Sequence, residues 1–238
     1  MRVVVVENPE TLAVAAADVV AAAVRTRPDG VIGLPSGETP LGLYRELARR
    51  VGAGALDLSR VTAFALDEFC GVPAGAPGTN AAYFAAHLTV PLRALHIPRC
   101  DAPDPGAEGA RFAALLRDLG TVDLVTLGIG TNGHIAFNEP GSPFDSRTRV
   151  VPLTEETRRA HAEAFGAIDR VPRQGLTIGI TDILEARRVL LLASGAAKAA
   201  ILARALRGPE TPDVPASALR RHRDLTVIAD REAAPRPG

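Results

Sequence analysis

The order in which apolar runs alternate with longer helical stretches constrains the fold most. The predicted strands are Arg2–Val6, Val31–Leu34, Val61–Leu66, Leu124–Leu127, Val189–Ala193 and Leu225–Ala229. The predicted helices are Glu10–Thr26, Pro40–Arg50, Asn80–Leu88, Gly106–Leu119, Thr154–Phe165 and Ala196–Leu206. The strands are short and apolar throughout, which is typical of strands covered on both faces. The pattern predicts an α/β fold, with a doubly wound, mostly parallel, Rossmann-like sheet and helices on both faces.

Chain length and charge narrow the class of protein further. With 238 residues, the chain can bury a substantial core. We expect a single α/β domain over residues 1–230 and a flexible Pro/Ala/Gly-rich tail at residues 231–238. The 27 basic and 27 acidic side chains balance, which argues against nucleic acid or an anionic membrane as a partner.

Two further patterns indicate where the protein works. The Ala/Val-rich stretch 11–24 is too short to span a bilayer, so we interpret it as a helix and expect no membrane partner. Cys70 and Cys100 have neither CxxC nor metal-ligand spacing, which predicts no metal site and fits the reducing cytoplasm. We therefore expect a cytoplasmic protein.

The most informative segment is LGIGTNGHIAFNEP, residues 127–140, which follows the fourth predicted strand. Its glycines permit a tight turn, and Asn132, His134 and Glu139 lie within eight residues of one another. A histidine with two polar partners at the carboxyl end of a parallel strand is a common arrangement for proton transfer. A lone histidine in a glycine-rich turn is more often ordinary loop chemistry, so this segment alone leaves both interpretations open.

A second candidate follows the third predicted strand, where Asp67 and Glu68 form an acidic pair. A partly desolvated carboxylate at a sheet edge can act as a general base. The ordinary interpretation is a solvated loop acid or a helix cap. The position at the carboxyl end of a strand favours neither interpretation decisively.

Two other loops carry groups suited to an anion. Ser36, Gly37 and Thr39 precede a helix predicted to begin near Pro40, and they offer hydroxyl and backbone N–H groups at its N-terminus. The alternative is that the hydroxyls only cap the helix. Lys198 is the only lysine in the chain. It lies in the first turn of a predicted helix, where a cation is unfavourable unless an anion binds beside it.

Several motifs, taken in chain order, are similar to the glucosamine-6-phosphate deaminase family. They are LDEFCGVP at 66–73, LGIGTNGHIAFNEP at 127–140, SRTR at 146–149, QGLTIGI at 174–180, LLASG at 191–195 followed by Lys198, and PASAL at 215–219. The resemblance runs from about the second strand nearly to the C-terminus. The related 6-phosphogluconolactonases share the glycine-rich histidine loop, but the LDEF and GHIAFNEP forms resemble the deaminases more.

The resemblance implies conversion of glucosamine 6-phosphate and water to fructose 6-phosphate and ammonia, without a metal or organic cofactor. By analogy, Asp67 would move a proton from C2 to C1 of the sugar. His134, oriented by Glu139 and Asn132, would open the sugar ring by moving a proton between O5 and O1. The phosphate would be held by Ser36, Gly37, Thr39 and Lys198. The implied partner is a small sugar phosphate, and we expect a monomer or a small homo-oligomer.

Two acids depart from the family pattern. Glu38 lies in the phosphate loop where the family usually has Gly or Ser, and Glu163 takes an arginine position in the segment 154–165, which resembles the family's lid. Each acid beside a phosphate could cost on the order of 1–4 kcal/mol, unless Arg158 or Arg159 substitutes. A third departure, Asn132 where some members have Asp, is minor.

Three alternatives therefore stay open beside the deaminase. The first is a 6-phosphogluconolactonase-type lactone hydrolase. The second is a paralogue with an altered amino-sugar substrate, and the third is a non-catalytic sugar-phosphate-binding protein.

Overall fold

The computed structural model describes residues 1–234 of the chain. Its strands are β1 Arg2–Val6, β2 Val31–Leu34, β3 Thr62–Ala65, β4 Asp67–Phe69, β5 Ala94–His96, β6 Leu124–Gly128, β7 Arg149–Pro152, β8 Gln174–Thr177, β9 Val189–Ala193 and β10 Leu225–Asp230. Its α-helices are α1 Pro9–Thr26, α2 Thr39–Gly52, α3 Asn80–His87, α4 Pro105–Leu119, α5 Glu155–Ala160, α6 Ala162–Phe165, α7 Ile180–Leu184 and α8 Ala199–Arg207.

The main sheet contains seven parallel strands in the order β1-β10-β9-β6-β2-β3-β5. From β2 the chain continues outward to β3 and β5, and it then returns to the other side of β2 to form β6. The direction of winding therefore reverses between β2 and β6. In open α/β sheets, such a reversal opens a crevice at the carboxyl ends of the strands, where ligands bind.

Two apolar layers cover the sheet. In β9, Leu190 packs with α1 and α2 on one face, whereas Leu191 packs with α8 on the other, and both are fully buried. Burying a leucine side chain stabilises the fold by roughly 1.5–3 kcal/mol. This explains why the central strands are predominantly apolar. The predicted doubly wound α/β fold is confirmed, and the six predicted strands are present with bounds within one residue.

A second, three-stranded antiparallel sheet in the order β4-β8-β7 was not predicted. The sequence indicated a loop after residue 66, but residues Asp67–Phe69 form a strand that pairs with Gly175–Thr177. This pairing joins residues more than 100 positions apart, and three residues are too few to show a periodic pattern. Strand β5 was also not predicted, because it too has only three residues.

Two of the predicted helices are interrupted. The predicted helix 154–165 is divided at His161 into α5 and α6, and both His161 and Phe165 contact the ring of Phe69. The predicted helix 196–206 begins as a 3₁₀ turn at Ala196–Lys198 before α8.

The end of the described chain packs against the main sheet. Ala233 is fully buried and its N–H donates to Asp230 Oδ1, while Arg231 forms an ion pair with Glu7. The remaining part of the predicted tail, residues 235–238, lies outside the described residues. The division into a domain at 1–230 and a tail stays a prediction. None of the described helices is long and apolar enough to cross a membrane.

Candidate active site

Four adjacent strands bring the predicted site residues to one edge of the main sheet. In the order of the sheet they are β9, β6, β2 and β3. The loop after β9 carries Lys198, the loop after β6 carries His134, the loop after β2 carries Ser36, and β3 leads directly to Asp67. Because these strands are parallel, their carboxyl ends lie side by side, on both sides of the reversal in strand order.

Asp67 begins β4 and its residue is 7% exposed. Asn80, the first residue of α3, donates from Nδ2 to Asp67 Oδ1 at 2.5 Å and to the Asp67 carbonyl at 2.8 Å. Burial, together with the neighbouring charge of Glu68, raises the pKa of Asp67 to about 7, although the hydrogen bond from Asn80 opposes this shift. A carboxyl group with such a pKa can accept and return a proton near neutral pH.

Glu68 is fully buried and points toward the start of α3. Its Oε1 accepts hydrogen bonds from the backbone N–H groups of Phe69 and Asn80, and its Oε2 accepts one from Ala81. Burial raises the pKa of Glu68, while these three N–H donors lower it. The predicted acidic pair is thus divided: Asp67 has a single side-chain donor, and Glu68 caps a helix.

His134 lies in a tight loop shaped by its neighbours. Its backbone N–H donates to Asn132 Oδ1 at 3.0 Å, and its carbonyl accepts from the Gly130 N–H at 2.9 Å. A side chain at position 130 would collide with the imidazole, because a Cβ there would lie 2.3 Å from the ring. Gly130 therefore leaves the space that the His134 ring occupies. The ring stays about one-fifth exposed to solvent.

Glu139 is the buried centre of this loop. Its Oε2 lies 3.5 Å from His134 Nδ1 and accepts from Asn132 Nδ2 at 3.0 Å, and its Oε1 accepts from the Thr154 hydroxyl at 3.1 Å. Burial opposes ionisation of Glu139. Hydrogen bonds from His134, Thr157 and Asn132, together with the charge of His134, nevertheless lower the pKa of Glu139 to about 2. An ionised Glu139 favours a proton on the facing nitrogen of His134 and so sets its tautomer.

Strand β8 connects the Asp67 region to the His134 loop. Thr177 pairs with Asp67 in the small sheet, and its hydroxyl accepts from the Phe137 N–H at 3.1 Å. The next residue, Ile178, donates to the Leu66 carbonyl and accepts from Asn138 Nδ2. The two segments therefore share one strand as their common support, and the structure brings together the carboxyl and imidazole regions that the sequence predicted separately.

Two tyrosine hydroxyls form hydrogen bonds with backbone carbonyls of the loop after β2. The Tyr44 hydroxyl donates to the Pro35 carbonyl at 2.5 Å, and the Tyr83 hydroxyl donates to the Gly37 carbonyl at 2.7 Å. Within residues 1–234, the side chains of Ser36 and Thr39 have no hydrogen-bond partner, and no side chain caps α2. The simple capping interpretation is therefore wrong.

Lys198 is the last residue of the 3₁₀ turn after β9, and it interacts electrostatically with two acidic side chains. Burial lowers the pKa of Lys198, while Glu38 and Glu156 oppose this shift. Glu156, in α5, also accepts a hydrogen bond from the Thr131 hydroxyl at 2.7 Å. The acid beside Lys198 that sequence reasoning missed is thus Glu156, whose position follows from the fold and not from any local motif.

The two arginines considered as substitutes for a lid arginine have other partners. Arg158 donates to the carbonyls of Val171 and Ile168, and Arg159 forms an exposed ion pair with Glu155. Glu163 itself is exposed. Its charge is not among those that shift the pKa of Lys198.

A cleft of about 550 Å³ opens beside this edge, between α1 and the start of α2. Its lining residues include Glu38, Thr39 and Ser194, together with Glu10 and Arg45. The cleft adjoins the predicted phosphate seat and not the Asp67 carboxyl. In the described part of the chain, no group of three or more His, Cys, Asp or Glu side chains is arranged to hold a metal ion.

Comparisons with known proteins agree with this architecture. The sequence model of the family described as glucosamine-6-phosphate isomerases/6-phosphogluconolactonase matches residues 7–228. The chain is 43% identical to glucosamine-6-phosphate deaminase 1 of Bacillus subtilis, with 98% of each protein covered. It is 42% identical to the glucosamine-6-phosphate deaminase of Rhodococcus jostii, with 98% of this chain and 92% of that protein covered.

Solved structures give the same result. A structure described as a monomeric glucosamine-6-phosphate deaminase superimposes with a TM-score of 0.94 at 42% identity, and 98% of each chain is covered. A 6-phosphogluconolactonase from Shewanella baltica superimposes with a TM-score of 0.78 at 19% identity, with 97% of each chain covered. At that identity, the second likeness shows the shared fold alone.

Proposed function

The chain belongs to the glucosamine-6-phosphate isomerase/6-phosphogluconolactonase family, and from that premise we propose that it is a glucosamine-6-phosphate deaminase. It converts glucosamine 6-phosphate and water to fructose 6-phosphate and ammonia by an aldose–ketose isomerisation. Several deaminases at 40–43% identity over nearly the full chain support this assignment. The lactonases in the comparison with solved structures are more distant.

One observation carries the chemistry. A buried carboxyl group whose pKa is raised to about 7, at Asp67, and an imidazole held by an ionised carboxylate, at His134, are supported by the same strand β8. An isomerase needs a base that can remove a proton from carbon and an acid–base group that exchanges protons between oxygens. These two groups supply both at the same sheet edge.

The proposed reaction begins with ring opening. His134 takes the proton from the O1 hydroxyl and delivers a proton to O5, and Glu139 and Asn132 keep the ring oriented during this exchange. Asp67 then removes the C2 proton as O1 of the open aldehyde gains a proton, which gives an enolamine. Asp67 returns its proton to C1 as the amine nitrogen loses one, which leaves a C2 imine. Water adds to the resulting C2 imine, and ammonia leaves as the C2 carbonyl of fructose 6-phosphate forms. Ser36, Gly37, Thr39 and Lys198 hold the phosphate.

The remaining expectations fit this activity. The substrate is a small sugar phosphate, and the open donors of the loop after β2 suit its phosphate group. We expect a monomer, because a relative with a TM-score of 0.94 is described as monomeric. We also expect a cytoplasmic enzyme, since the two cysteines are buried and free.

The direct test is ammonia release from glucosamine 6-phosphate by the wild type and by Asp67→Asn. The amide cannot accept the C2 proton, so kcat should fall by at least about a thousandfold. Asp118→Asn, which removes an exposed carboxyl in α4, is the matched control and should retain full activity.

Three results would contradict the proposal. A folded wild type that releases no ammonia would exclude the deaminase. Hydrolysis of 6-phosphogluconolactone that survives Asp67→Asn would identify a lactonase instead, because lactone hydrolysis needs no carbon base. Ligand-dependent thermal stabilisation without either product would identify a binding protein.

A further inference from the structure

The mechanism above leaves two buried groups beside the base without a role. Glu68 follows Asp67 in β4, and Asn80 begins α3. Both are nearly or fully buried, and their hydrogen bonds form one continuous connection from the helix to the base. Such an arrangement costs desolvation of a carboxylate, for which the hydrogen bonds compensate only if each is made.

We propose that Glu68 and Asn80 are positioning residues for the carbon base: Glu68 fixes the first turn of α3 against β4, and Asn80 in that turn holds the Asp67 carboxyl in one orientation. The inference rests on the proposed role of Asp67. The hydrogen bonds of these two residues explain how the Asp67 carboxyl keeps a fixed orientation although β4 is only three residues long.

The hydrogen bonds of Glu68 and Asn80 define a separate role for each residue. Three backbone N–H groups, from Phe69, Asn80 and Ala81, donate to Glu68 at 2.7–3.0 Å, so both of its oxygens are occupied. The Asn80 amide then donates to both the carbonyl and the carboxyl of Asp67. Among residues 1–234, only one carboxyl oxygen of Asp67, Oδ1, has a protein donor, which leaves Oδ2 available for the substrate proton.

The charged and titratable groups around Asp67 and Glu68 determine in which direction the pKa of Asp67 shifts. Glu68 accepts three N–H bonds at a helix start, and its neighbouring charge contributes to the raised pKa of Asp67. The other titratable groups that face the pair are the hydroxyl of Tyr44, which influences Asp67, and the thiols of Cys70 and Cys100, which Glu68 influences. In residues 1–234, neither carboxyl has an ion-pair partner.

Two substitutions should therefore move the pH dependence in opposite directions. In Asn80→Ala, the carboxylate loses a donor that favours its charged form, so the acid limb of the kcat profile should move to higher pH. Its kcat should also fall about tenfold to a hundredfold while KM changes little. In Glu68→Gln, the like charge is lost, and the acid limb should move to lower pH by about half a unit or more.

The matched control is Thr79→Ala. Thr79 caps the same helix by accepting from the Ala82 N–H, and its hydroxyl donates to the Ala76 carbonyl; within residues 1–234 it forms no hydrogen bond with either carboxyl. If the two residues only stabilise α3, Thr79→Ala should reproduce their effects. We expect it to lower Tm and to leave the acid limb in place. Because every variant is measured on the same substrate, titration of the substrate phosphate contributes equally to each profile.

The outcomes separate this inference from the proposed function. If the wild type releases ammonia and Asp67→Asn does not, but Asn80→Ala keeps both the wild-type kcat and the wild-type acid limb, the positioning role is wrong and the deaminase stands. If Asn80→Ala does not fold, Asn80→Leu, which has nearly the same shape without the donor, replaces it in the same profile. Acid limbs of Glu68→Gln and Asn80→Leu that coincide with that of the wild type would equally overturn the inference.

Discussion

The two ends of the candidate site differ in how completely the protein satisfies its own polar groups. At the proton-transfer end, Asp67 and Glu139 are buried carboxyl groups, and each accepts hydrogen bonds from fixed side chains. At the anchor end, the side chains of Ser36, Thr39 and Lys198 have no hydrogen-bond partner among residues 1–234. One end is therefore assembled in advance, and the other keeps its donors open.

This difference teaches how the two tasks are separated. Groups that move protons must already have their direction and tautomer when the substrate arrives, because reorganisation during the reaction would add to the barrier. A side chain that binds an anion contributes most to binding when it has no other strong hydrogen-bond partner before the ligand arrives. Substitutions at the first end should thus lower kcat, and substitutions at the second should raise KM.

The largest effect among the positioning groups is expected for Glu139→Gln. The amide can no longer stabilise a protonated His134, so kcat should fall by about a hundredfold while KM changes little. Steady-state kinetics with glucosamine 6-phosphate measure both constants. Glu155→Gln, an exposed acid on α5, is the control and should behave as the wild type. An unchanged kcat in Glu139→Gln would show that His134 needs no orienting carboxylate.

The same carboxyl should also make the stability of the fold depend on pH. The pKa of Glu139 is about 2 in the folded protein, below its ordinary value of about 4.3. The folded state therefore binds this proton less readily. Its contribution, up to about 3 kcal/mol, is present above pH 4.5 and is lost as the pH falls toward 2.

Denaturant unfolding at pH 5 and pH 3 measures this contribution. The wild type should lose more of its free energy of unfolding between the two pH values than Glu139→Gln does. Equal losses in the two proteins would mean that the pKa of Glu139 is not lowered by folding.

At the anchor end, Lys198→Ala should raise KM for glucosamine 6-phosphate by about tenfold to a hundredfold with little change in kcat. The reason is that a charge-assisted bond to the phosphate is lost equally from the ground state and the transition state. Arg204→Ala removes a positive charge at an exposed position of α8, the helix that follows Lys198, and should leave KM unchanged. A fall in kcat alone would place Lys198 in the proton-transfer machinery and would contradict the comparison.

The smallest effect is expected for Glu38→Gln. Its exposed carboxylate influences Lys198, and in the proposed site it would compete with the substrate phosphate. Removal of this charge should lower KM for glucosamine 6-phosphate by about twofold to fivefold. Glu10→Gln, which removes another acid that lines the same cleft, is the matched control. A raised KM in Glu38→Gln would mean that the acid contacts a hydroxyl or amine of the substrate instead of opposing its phosphate.

The sequence by itself determined six of the seven strands of the main sheet and the loops that carry the candidate site. Short β-branched strands that alternate with helices carry apolar side chains on both faces. They bury these side chains by forming a parallel sheet that is covered by helices on both sides. The residues that follow such strands then share one edge. For this reason the order of strands and helices along the chain is enough to assign the motifs at Asp67, His134, Ser36 and Lys198 to a common region.

Only the tertiary structure decided how those residues are supported. The pairing of Asp67 with Thr177, the cap that Glu68 gives to α3, and the acid that Glu156 adds beside Lys198 each join segments distant in the chain. Local propensity carries no information about such contacts, because they depend on which loops the fold places together. The pKa values of Asp67 and Glu139 depend on the same contacts and on burial, so they too belong to the folded protein and not to the sequence motif.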